Sequence, residues 1–295
     1  MSAGFSIRFL GTGTSVGVPQ IGCSCKTCTS SDPRDRRRRC GAYVSCAGAS
    51  FLIDTPPEMR LAAIEYGISK VDAVLLTHSH MDHVSGFDDI RRFNTINGIK
   101  VPCDPNSPGA NGRTWRIQGR PLVCHAMNET ADQMHAIFPY IGEEGGKNGL
   151  YRPQVVFNRA DVFDLDGEEG GAHVERILVG HGFPCCGYII SPRKGGASLA
   201  YISDCHDIPP ETLSRIRGVD VLILDCLRER EHPTHLSLSR ALSYVEEAAA
   251  KKAYFIHMCH DLTHQEWESR LEGTCVSPAY DGLVVELPTE CGGAK

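Results

Sequence analysis

One short stretch of the sequence concentrates side chains that bind metal ions. Residues 77–83 read Thr-His-Ser-His-Met-Asp-His and directly follow the apolar run of residues 71–76. Such a run is typical of a buried strand, and residues two apart in an extended chain point the same way, so His78 and His80 can bind one metal ion together. Asp82 and His83 lie where the chain turns toward a helix, and we expect them to face a second ion nearby. The spacing predicts a two-metal site rather than a loop that is merely rich in histidine.

Further candidate ligands follow predicted strands in the second half of the chain. His181 stands between two glycines after one such strand, and His257 ends the last central strand. Asp204 ends another strand, and α/β proteins collect their sites at the carboxyl ends of strands, so this carboxylate is the right residue type to bridge two cations. The residues alone do not separate Asp204 from His206 and Asp207, which follow it closely.

Three further residues at the ends of predicted elements have open roles. His235 precedes a helix predicted from about Ser237 to Lys251, where it either faces solvent or reaches the site. Asp225 ends the buried strand of residues 219–224. Asp54 also ends a strand, and it either supports a ligand histidine or caps the helix that follows two prolines.

A cysteine cluster near the start of the chain predicts a separate structural site. Cys23, Cys25 and Cys28 fall within six residues of a loop that Gly22 opens. Three thiolates suit a tetrahedral zinc ion that lacks only a fourth ligand, which must come from far along the chain. The alternative is three free cysteines in a surface loop, but exposed thiols are prone to oxidation, so zinc is favoured.

The composition is that of a soluble globular protein in a reducing compartment. The chain has 295 residues, of which 41% are hydrophobic and 22% are charged, and its net charge of −6 argues against a general nucleic-acid binder. The fourteen cysteines are mostly scattered and no secretory signal precedes them, which indicates free thiols and a cytoplasmic location. No apolar run approaches the roughly 18 residues of a membrane span.

The order of predicted elements indicates a single α/β domain over residues 1–295 with one probable insertion. The pattern weakens at about residues 103–150, where prolines and glycines interrupt it, and residues 142–146 read as a mobile segment. We expect this insertion to form a lid over the site. His125 and His135, which lie inside it, have no ligand-like neighbours and are predicted to have packing roles.

An arginine run over residues 34–39 adds a local basic feature. It can hold a phosphate group or single-stranded nucleic acid, or form a solvated face. No aromatic residues are interleaved with it and the overall balance is acidic, so nucleic acid is disfavoured without being excluded. A solvated face and an arm that grips one substrate phosphate are equally compatible with the sequence.

With these residues in view, the chain resembles the metallo-β-lactamase superfamily. The resemblance rests on the histidine motif of residues 77–83, Gly-His-Gly at 180–182, Ser-Asp at 203–204, and His257. Within the superfamily it is most similar to the PhnP-type phosphodiesterases, which hydrolyse cyclic phosphates of ribose. The early Leu-Gly-Thr-Gly-Thr turn, the cysteine loop and the closing Ile-His-Met-Cys-His carry this finer likeness. The resemblance implies a four-layer αβ/βα sandwich with an N-terminal structural zinc loop.

The resemblance also implies a ligand set for three metal ions. His78, His80, His181 and a bridging Asp204 would hold the first active-site ion, and the second would be held by Asp82, His83, Asp204 and His257. His260 would complete the structural zinc site with Cys23, Cys25 and Cys28. His235 matches the family's second catalytic histidine, and we expect it and Asp82 to act in catalysis. Zinc or manganese, with iron as a further option, suits the mixed imidazole and carboxylate ligands.

These expectations define a dinuclear metal-dependent hydrolase. Two divalent cations, less the charges of Asp82, Asp204 and a bridging hydroxide, leave one positive charge, which suits a phosphodiester monoanion. The predicted reaction is attack of that hydroxide on a small cyclic or nucleotide-like phosphodiester, while His235 steadies a phosphoryl oxygen or protonates the leaving alkoxide. The alternatives are a tRNA 3′-processing endonuclease, a thioester or lactone hydrolase, and a metalloprotein without catalysis. The sequence does not decide the oligomeric state, and a homodimer is compatible with it.

Overall fold

The strands and helices are those of a computed structural model that describes residues 4–107, 110–142 and 153–288. In chain order the strands are β1 (Phe5–Gly11), β2 (Gly41–Cys46), β3 (Ala49–Ile53), β4 (Ala73–Leu75), β5 (Ile99–Pro102), β6 (Trp115–Gln118), β7 (Leu122–His125), β8 (Val155–Asn158), β9 (Val162–Leu165), β10 (Ala172–Val179), β11 (Cys185–Pro192), β12 (Leu199–Ile202), β13 (Val221–Asp225), β14 (Lys252–Ile256), β15 (Val276–Pro278) and β16 (Val284–Leu287). The α-helices are α1 (Met59–Glu65), α2 (Met81–Val84), α3 (Arg91–Ile96), α4 (Asn128–Ile137), α5 (Pro210–Arg215), α6 (Leu238–Ala248) and α7 (His264–Leu271).

Two seven-stranded mixed sheets form the centre of the fold. The strand order is β16-β1-β2-β3-β4-β7-β8 in the first sheet and β15-β14-β13-β12-β11-β10-β9 in the second. In each sheet one half is antiparallel and the other half, β3-β4-β7-β8 or β12-β13-β14-β15, is parallel. The parallel halves matter for function, because the chain segments that leave their carboxyl ends carry most of the candidate site.

Three apolar clusters arrange these elements in four layers. The first lies between the sheets and joins Phe9 and Phe51 of the first sheet to Tyr188 and Ile223 of the second. The second covers the outer face of the second sheet with α6 and α7, and the third covers the outer face of the first sheet with α1 to α4. The predicted helix–sheet–sheet–helix sandwich is confirmed.

The local sequence explains why these segments become strands and helices. In β1 the alternating Phe5, Ile7 and Phe9 face the core between the sheets, as expected for a strand with period-two patterning. β13 is apolar until its final aspartate and is buried throughout, which is typical of a central parallel strand. The helix predicted after His235 is α6, and it ends at Ala249, whose φ of 48° places it in the left-handed region.

The boundaries predicted for the insertion at residues 103–150 are wrong in part. β5 and β6 do form a separate two-stranded sheet with largely exposed side chains. β7, however, pairs in parallel with β4 inside the first sheet, and α4 packs Ala131 and Met134 against that sheet. β7 was not predicted because it is only four residues long and lies among prolines and glycines, which are typical of loops. The mobile segment predicted at 142–146 lies, except for Gly142, outside the described residues.

No helix within the described ranges is both long and apolar enough to cross a membrane.

Candidate metal centre

The candidate ligands lie on loops that leave neighbouring strand ends. β4 leads to His78, β10 to His181, β12 to Asp204 and β14 to His257. Asp82 and His83 occupy the short helix α2, which begins directly after His80. The fold therefore brings together residues that are separated by up to 179 positions in sequence.

The first ligand group consists of His78, His80 and His181. Nε2 of His78 lies 3.0 Å from Nδ1 of His80, and Nε2 of His181 lies 3.4 Å from the same atom. Three imidazole nitrogens that lie within 4.8 Å of one another can bind one metal ion. The predicted pairing of His78 with His80 agrees with this geometry.

The second ligand group consists of Asp82, His83, Asp204 and His257. Nε2 of His83 is 3.4 Å from Oδ2 of Asp82 and 3.1 Å from Oδ1 of Asp204. Nε2 of His257 is 3.4 Å from Oδ2 of Asp204 and 3.9 Å from Oδ2 of Asp82. These four side chains can hold a second ion.

Asp204 is placed to connect the two groups. Its Oδ2 lies 3.9 Å from Nε2 of His78 and 3.7 Å from Nε2 of His181, while its Oδ1 faces His83 of the second group. The alternatives His206 and Asp207 lie outside both groups, and Asp207 instead accepts a hydrogen bond of 2.8 Å from the Tyr244 hydroxyl. The geometry therefore favours Asp204 as the bridging carboxylate.

Asp54 and Thr77 orient two of the histidines. The Nδ1 of His83 donates to Oδ2 of Asp54 at 2.7 Å, which leaves its Nε2 facing the site. The Thr77 hydroxyl donates to the same carboxylate at 2.8 Å and accepts from Nδ1 of His78 at 3.0 Å. Partners of this kind fix the tautomer of a ligand histidine and the orientation of its ring. Asp54 therefore supports a ligand histidine, and Glu58 rather than Asp54 stands at the N-cap of α1.

Asp225 orients His235. Its Oδ2 accepts a hydrogen bond of 2.9 Å from Nδ1 of His235 and one of 3.0 Å from the backbone N–H of Cys205. The His235 ring stacks on that of His257, with the ring centroids 4.4 Å apart, and lies 4.9 Å from that of His181. His235 thus lies beside both ligand groups, and its Nε2 is the nitrogen not engaged by Asp225.

Two of these residues adopt backbone conformations that favour glycine. The φ angles of Asp54 and His257 are both 59°. A non-glycine residue in this region costs of the order of 1 kcal/mol or more, and such residues cluster at functional sites where the surrounding structure holds them. Here both side chains serve the centre, one as a candidate ligand and the other as the partner of His83.

The electrostatics of the cluster follow from burial and from the opposed charges. Burial lowers the pKa of His78 and of His181, so both are neutral imidazoles, which is the form that binds metal. For Asp204, burial alone would raise the pKa, but His257 and His83 outweigh that effect and hold its pKa well below the ordinary range. Conversely, burial opposes the charged form of His83, yet the carboxylates of Asp204 and Asp54 raise its pKa. Buried carboxylates in this cluster therefore attract positive charge.

The residues present fit divalent metal ions. His83 Nε2, Asp204 Oδ1 and both ring nitrogens of His257 are buried and have no hydrogen-bond partner within the described part of the chain. Buried polar atoms are rarely left unpaired, and His83 Nε2, Asp204 Oδ1 and His257 Nε2 lie close together on different elements. A mixed set of imidazole and carboxylate donors is also what zinc, manganese and iron accept.

The cysteine cluster forms a second, separate group. The Sγ atoms of Cys23, Cys25 and Cys28 lie 3.3, 3.5 and 3.4 Å from Nδ1 of His260. A tetrahedral ion with Zn–S bonds of about 2.3 Å and Zn–N bonds of about 2.0 Å requires a sulfur-to-nitrogen distance of about 3.5 Å. The four ligand atoms thus have the spacing of a structural zinc site, and His260 is the distant fourth ligand that the cysteine spacing requires.

The arginine run is not a free basic face. Arg37 is fully buried and donates to the backbone carbonyl oxygens of Cys259 (2.6 Å) and Leu262 (3.0 Å). Arg34 pairs with Asp32 and Glu268, Arg38 with Glu65 and Arg39 with Glu58. Most arginines of the run are therefore engaged in ion pairs or buried, and Arg36 remains exposed.

The sequence did not identify Thr77 and Asp225 as supporting residues, whereas it offered Asp54 either as support for a ligand histidine or as a helix cap. Asp54 and Asp225 each stand at the end of a strand, and this position is the one sequence signal that points to them. Their partners lie at sequence separations of 10 to 29 residues, which no local pattern encodes.

The fold has two facing sheets, and histidine and carboxylate ligands adjoin at one edge of them. This arrangement is that of the metal-dependent hydrolases. A family model described as the Beta-lactamase superfamily domain matches residues 49–258. A solved structure described as a new diphosphatase from the PhnP family is 34% identical, covers 96% of this chain and 97% of its own, and superimposes with a TM-score of 0.77. The chain belongs to the metallo-β-lactamase superfamily and to its PhnP-type subgroup, which confirms the resemblance predicted from the sequence.

Two further relatives have different names. A ribonuclease Z from Methanopyrus kandleri is 38% identical, over 95% of this chain and 97% of its own length. An octanoyltransferase from Porphyromonas gingivalis is 30% identical over 93% of this chain, but the chain spans only about half (50%) of that relative's length.

Proposed function

We propose that this protein hydrolyses a small phosphodiester, of a cyclic or nucleotide-like kind, at the two adjoining ligand groups. The observation that carries the proposal is the position of Asp204, within 4 Å of ligand nitrogens from both groups. A shared carboxylate implies two cations at short separation, the arrangement that suits phosphoryl transfer. The PhnP-family neighbour supports the same class of substrate.

We propose that His78, His80, His181 and Asp204 hold one divalent ion and that Asp82, His83, Asp204 and His257 hold the other. Zinc and manganese are the proposed ions, with iron as a further option, and the thiolates of the cysteine cluster select zinc. When bound, the two active-site ions would supply a hydroxide nucleophile at neutral pH and would stabilise charge on the phosphoryl oxygens.

The remaining chemistry is assigned to protein side chains. We assign to Asp82 the task of orienting the attacking water, because its carboxylate belongs to the second ligand group and is partly exposed. His235, oriented by Asp225, presents its Nε2 beside His181 and His257, where it binds a phosphoryl oxygen or gives a proton to a leaving alkoxide. The charges of Asp82 and Asp204 cancel part of the cationic charge, which leaves the site suited to a substrate with one negative charge on the attacked phosphoryl group.

A tRNA 3′-processing endonuclease is the second candidate, because the ribonuclease Z from M. kandleri is 38% identical. The exposed β5–β6 hairpin adds local support, since Trp115 lies between Lys100 and Arg113, with cation-to-ring distances of 4.6 and 5.6 Å. Against it, the arginines of residues 34–39 are mostly engaged in ion pairs, and the chain carries a net charge of −6.

Acyl chemistry has weaker support. The octanoyltransferase relative shares the chain over half its length, so its named activity can reside in the half that this chain does not cover. Cys40 and Cys185 lie beside Asp204, but burial raises the pKa of both thiols, which disfavours a thiolate nucleophile. The cationic centre, by contrast, suits a phosphodiester.

The test is hydrolysis by protein loaded with zinc or with manganese. The substrates are bis(p-nitrophenyl) phosphate, a 2′,3′-cyclic nucleotide, a 1,2-cyclic phosphate of ribose, a precursor tRNA and an octanoyl thioester. We expect turnover of the small phosphodiesters, and loss of at least about a thousandfold in Asp204→Asn, since the shared ligand is lost. Asp207→Asn is the matched control, because Asp207 lies outside both groups. Faster turnover of tRNA or thioester than of every small phosphodiester would refute the proposal.

We also propose that the protein works in the cytoplasm. None of the thirteen cysteines in the described ranges forms a disulfide, as expected for a reducing compartment. A homodimer remains the proposed assembly, and size-exclusion chromatography with light scattering tests it.

A further inference from the structure

A cleft beside the metal centre is not used by the chemistry described so far. Its volume is about 480 Å³, and it is lined by Ser15, Val16, Gln20, Ile21, Arg39, Pro57, Met81, Asp82 and Ser85. Asp82 belongs to the second ligand group, whereas none of the ligand histidines is among these lining residues. A chemical group bound in the cleft would therefore lie next to the metal centre rather than within it.

Arg39 is the cationic side chain of this cleft. One of its terminal nitrogens, Nη2, lies 3.2 Å from Oε1 of Glu58, and the side chain retains 28% of its exposure. A single contact to one carboxylate oxygen leaves the other guanidinium donors available, and a guanidinium presents five in a fixed planar array. Such an array matches the oxygens of a phosphate group better than any other side chain does.

The backbone around Arg39 is held rigidly. Gly13 pairs with the 37–39 segment, and its N–H donates to the carbonyl oxygen of Arg38 at 2.7 Å. A Cβ on Gly11 would stand 2.0 Å from the carbonyl oxygen of Arg39, so the two segments touch through their backbones. Arg37, on the same segment, is buried and bonded to Cys259 and Leu262. The backbone from which the Arg39 side chain extends is thus fixed.

The other walls of the cleft are mainly apolar and open. Val16 and Met81 are each 55% exposed, and Ile21 is fully exposed. Large apolar side chains that remain exposed beside a polar site are typical of ligand-binding surfaces. They suit the sugar or base of a substrate, while Gln20 and Ser15 add hydrogen-bonding groups.

We infer that this cleft binds a second phosphoryl group, so that the preferred substrates are diphosphate diesters, in which two phosphoryl groups each carry an organic substituent. This inference rests on the proposed function, which it narrows. The two ligand groups, once loaded with metal ions, would hold the attacked phosphoryl group, and Arg39 would bind its neighbour. One water is consumed, and its oxygen forms the new bond to the attacked phosphorus. The bond to the oxygen between the two phosphoryl groups breaks, and its electron pair stays on that oxygen, where the guanidinium faces the added negative charge. The protons of the water pass to the products and the solvent.

The experiment compares two substrates that share a nucleoside but differ in the number of phosphoryl groups. These are thymidine 5′-diphosphate glucose, with two, and p-nitrophenyl thymidine 5′-phosphate, with one. In Arg39→Ala we expect the ratio of kcat/KM for the first substrate to that for the second to fall by about 10- to 100-fold, since charge-assisted hydrogen bonds to one phosphoryl group are lost. Arg39→Lys keeps the charge and recovers part of the ratio. Glu58→Gln, which releases the guanidinium, raises the ratio.

Arg38→Ala is the matched control. Arg38 adjoins Arg39 in sequence but pairs with Glu65 and stays outside the cleft. We expect the ratio to be unchanged in this variant. Thermal unfolding of each variant verifies that it is folded, and an Arg39→Gln variant replaces Arg39→Ala if the latter unfolds.

A binding measurement separates this inference from the proposed function. Calorimetry compares the affinities of adenosine 5′-(α,β-methylene)diphosphate, which cannot be cleaved between its phosphoryl groups, and of adenosine 5′-monophosphate. A preference for the diphosphate that Arg39→Ala abolishes supports the inference even if no phosphodiester is turned over, in which case the proposed function alone fails. If Arg39→Ala changes neither the kinetic ratio nor the binding preference, the inference is overturned while hydrolysis stands.

Discussion

Asp225→Asn is the substitution that most directly tests how His235 works. Oδ2 of Asp225 is completely buried and accepts from Nδ1 of His235 at 2.9 Å. The asparagine side chain has nearly the same shape and can still accept this hydrogen bond, but it carries no charge. The change therefore removes the charge that stabilises a protonated His235 without opening a cavity.

The expected magnitude follows from the two kinds of hydrogen bond. A bond to a charged group contributes about 1.5–3 kcal/mol and a neutral one about 0.5–1.5 kcal/mol, so the charge is worth about 1–1.5 kcal/mol. Because about 1.4 kcal/mol corresponds to a factor of ten in rate, kcat should fall about tenfold where His235 must donate a proton.

The assay uses two leaving groups. A 2′,3′-cyclic nucleotide expels an alkoxide that needs a proton, whereas bis(p-nitrophenyl) phosphate expels a nitrophenolate that is stable without one. In Asp225→Asn we expect the cyclic nucleotide to lose about tenfold in kcat and the nitrophenyl ester to lose much less.

Asp220→Asn provides the matched control, since Asp220 lies at the opposite end of the same strand and bonds to Ser198 and Lys251. Metal content is measured for each variant. An equal loss for both leaving groups at unchanged metal content would refute the positioning of a proton donor by Asp225.

Two other predictions concern stability. Cys28→Ser should reduce the bound metal from three ions to two per chain. It should also lower the free energy of unfolding by up to about 4–5 kcal/mol, because the metal link between Cys28 and His260 closes a loop of 232 residues. Elemental analysis measures the metal and urea unfolding measures the stability, and full metal content in the variant would contradict the assignment. His125 is buried against Phe163, its ring nitrogens have no partner in the described residues, and burial lowers its pKa to about 4. Below about pH 6.5 the unfolded chain binds a proton at His125, whereas the folded chain does not. The free energy of unfolding therefore falls as the pH drops toward 4, by about 2 kcal/mol at pH 5. His125→Leu should lessen the loss measured by urea unfolding at pH 5 relative to pH 7 by that amount, and an unchanged loss would count against the assignment.

The parts of the site that could be predicted from the sequence are those written in local spacing. His78 and His80 are two residues apart at a strand end, and Cys23, Cys25 and Cys28 share one loop, so strand geometry and ligand chemistry suffice for both groups. Individual strands were predictable for a similar reason, since alternating apolar residues indicate a strand buried on one face and a continuous apolar run indicates one buried on both. The four-layer arrangement was implied by the resemblance to the metallo-β-lactamase superfamily.

The parts that could not be predicted depend on contacts between distant segments. From residue type and position alone, Asp204 and Asp207 are equally good candidates for the bridging carboxylate. In the fold, where β12 packs beside β13, Asp204 faces the ligand histidines and Asp207 bonds to Tyr244. The role of the arginine run was also undecidable. Arg37 became a buried structural residue because its carbonyl partners lie 222 and 225 positions away.

The segment His257–His260 connects the two candidate metal sites physically. His257 points into the second ligand group, and three residues later His260 points into the cysteine cluster. Between them, Met258 pairs with the Thr12–Thr14 turn, and the carbonyl oxygen of Cys259 accepts from Arg37. The strained φ of 59° at His257 is therefore held from both sides. The thiolate cluster adds a further restraint at His260. Without it, the segment that carries His257 is freer to relax. For that reason Cys28→Ser should also weaken metal binding at the active site, through the backbone and without touching any of its ligands.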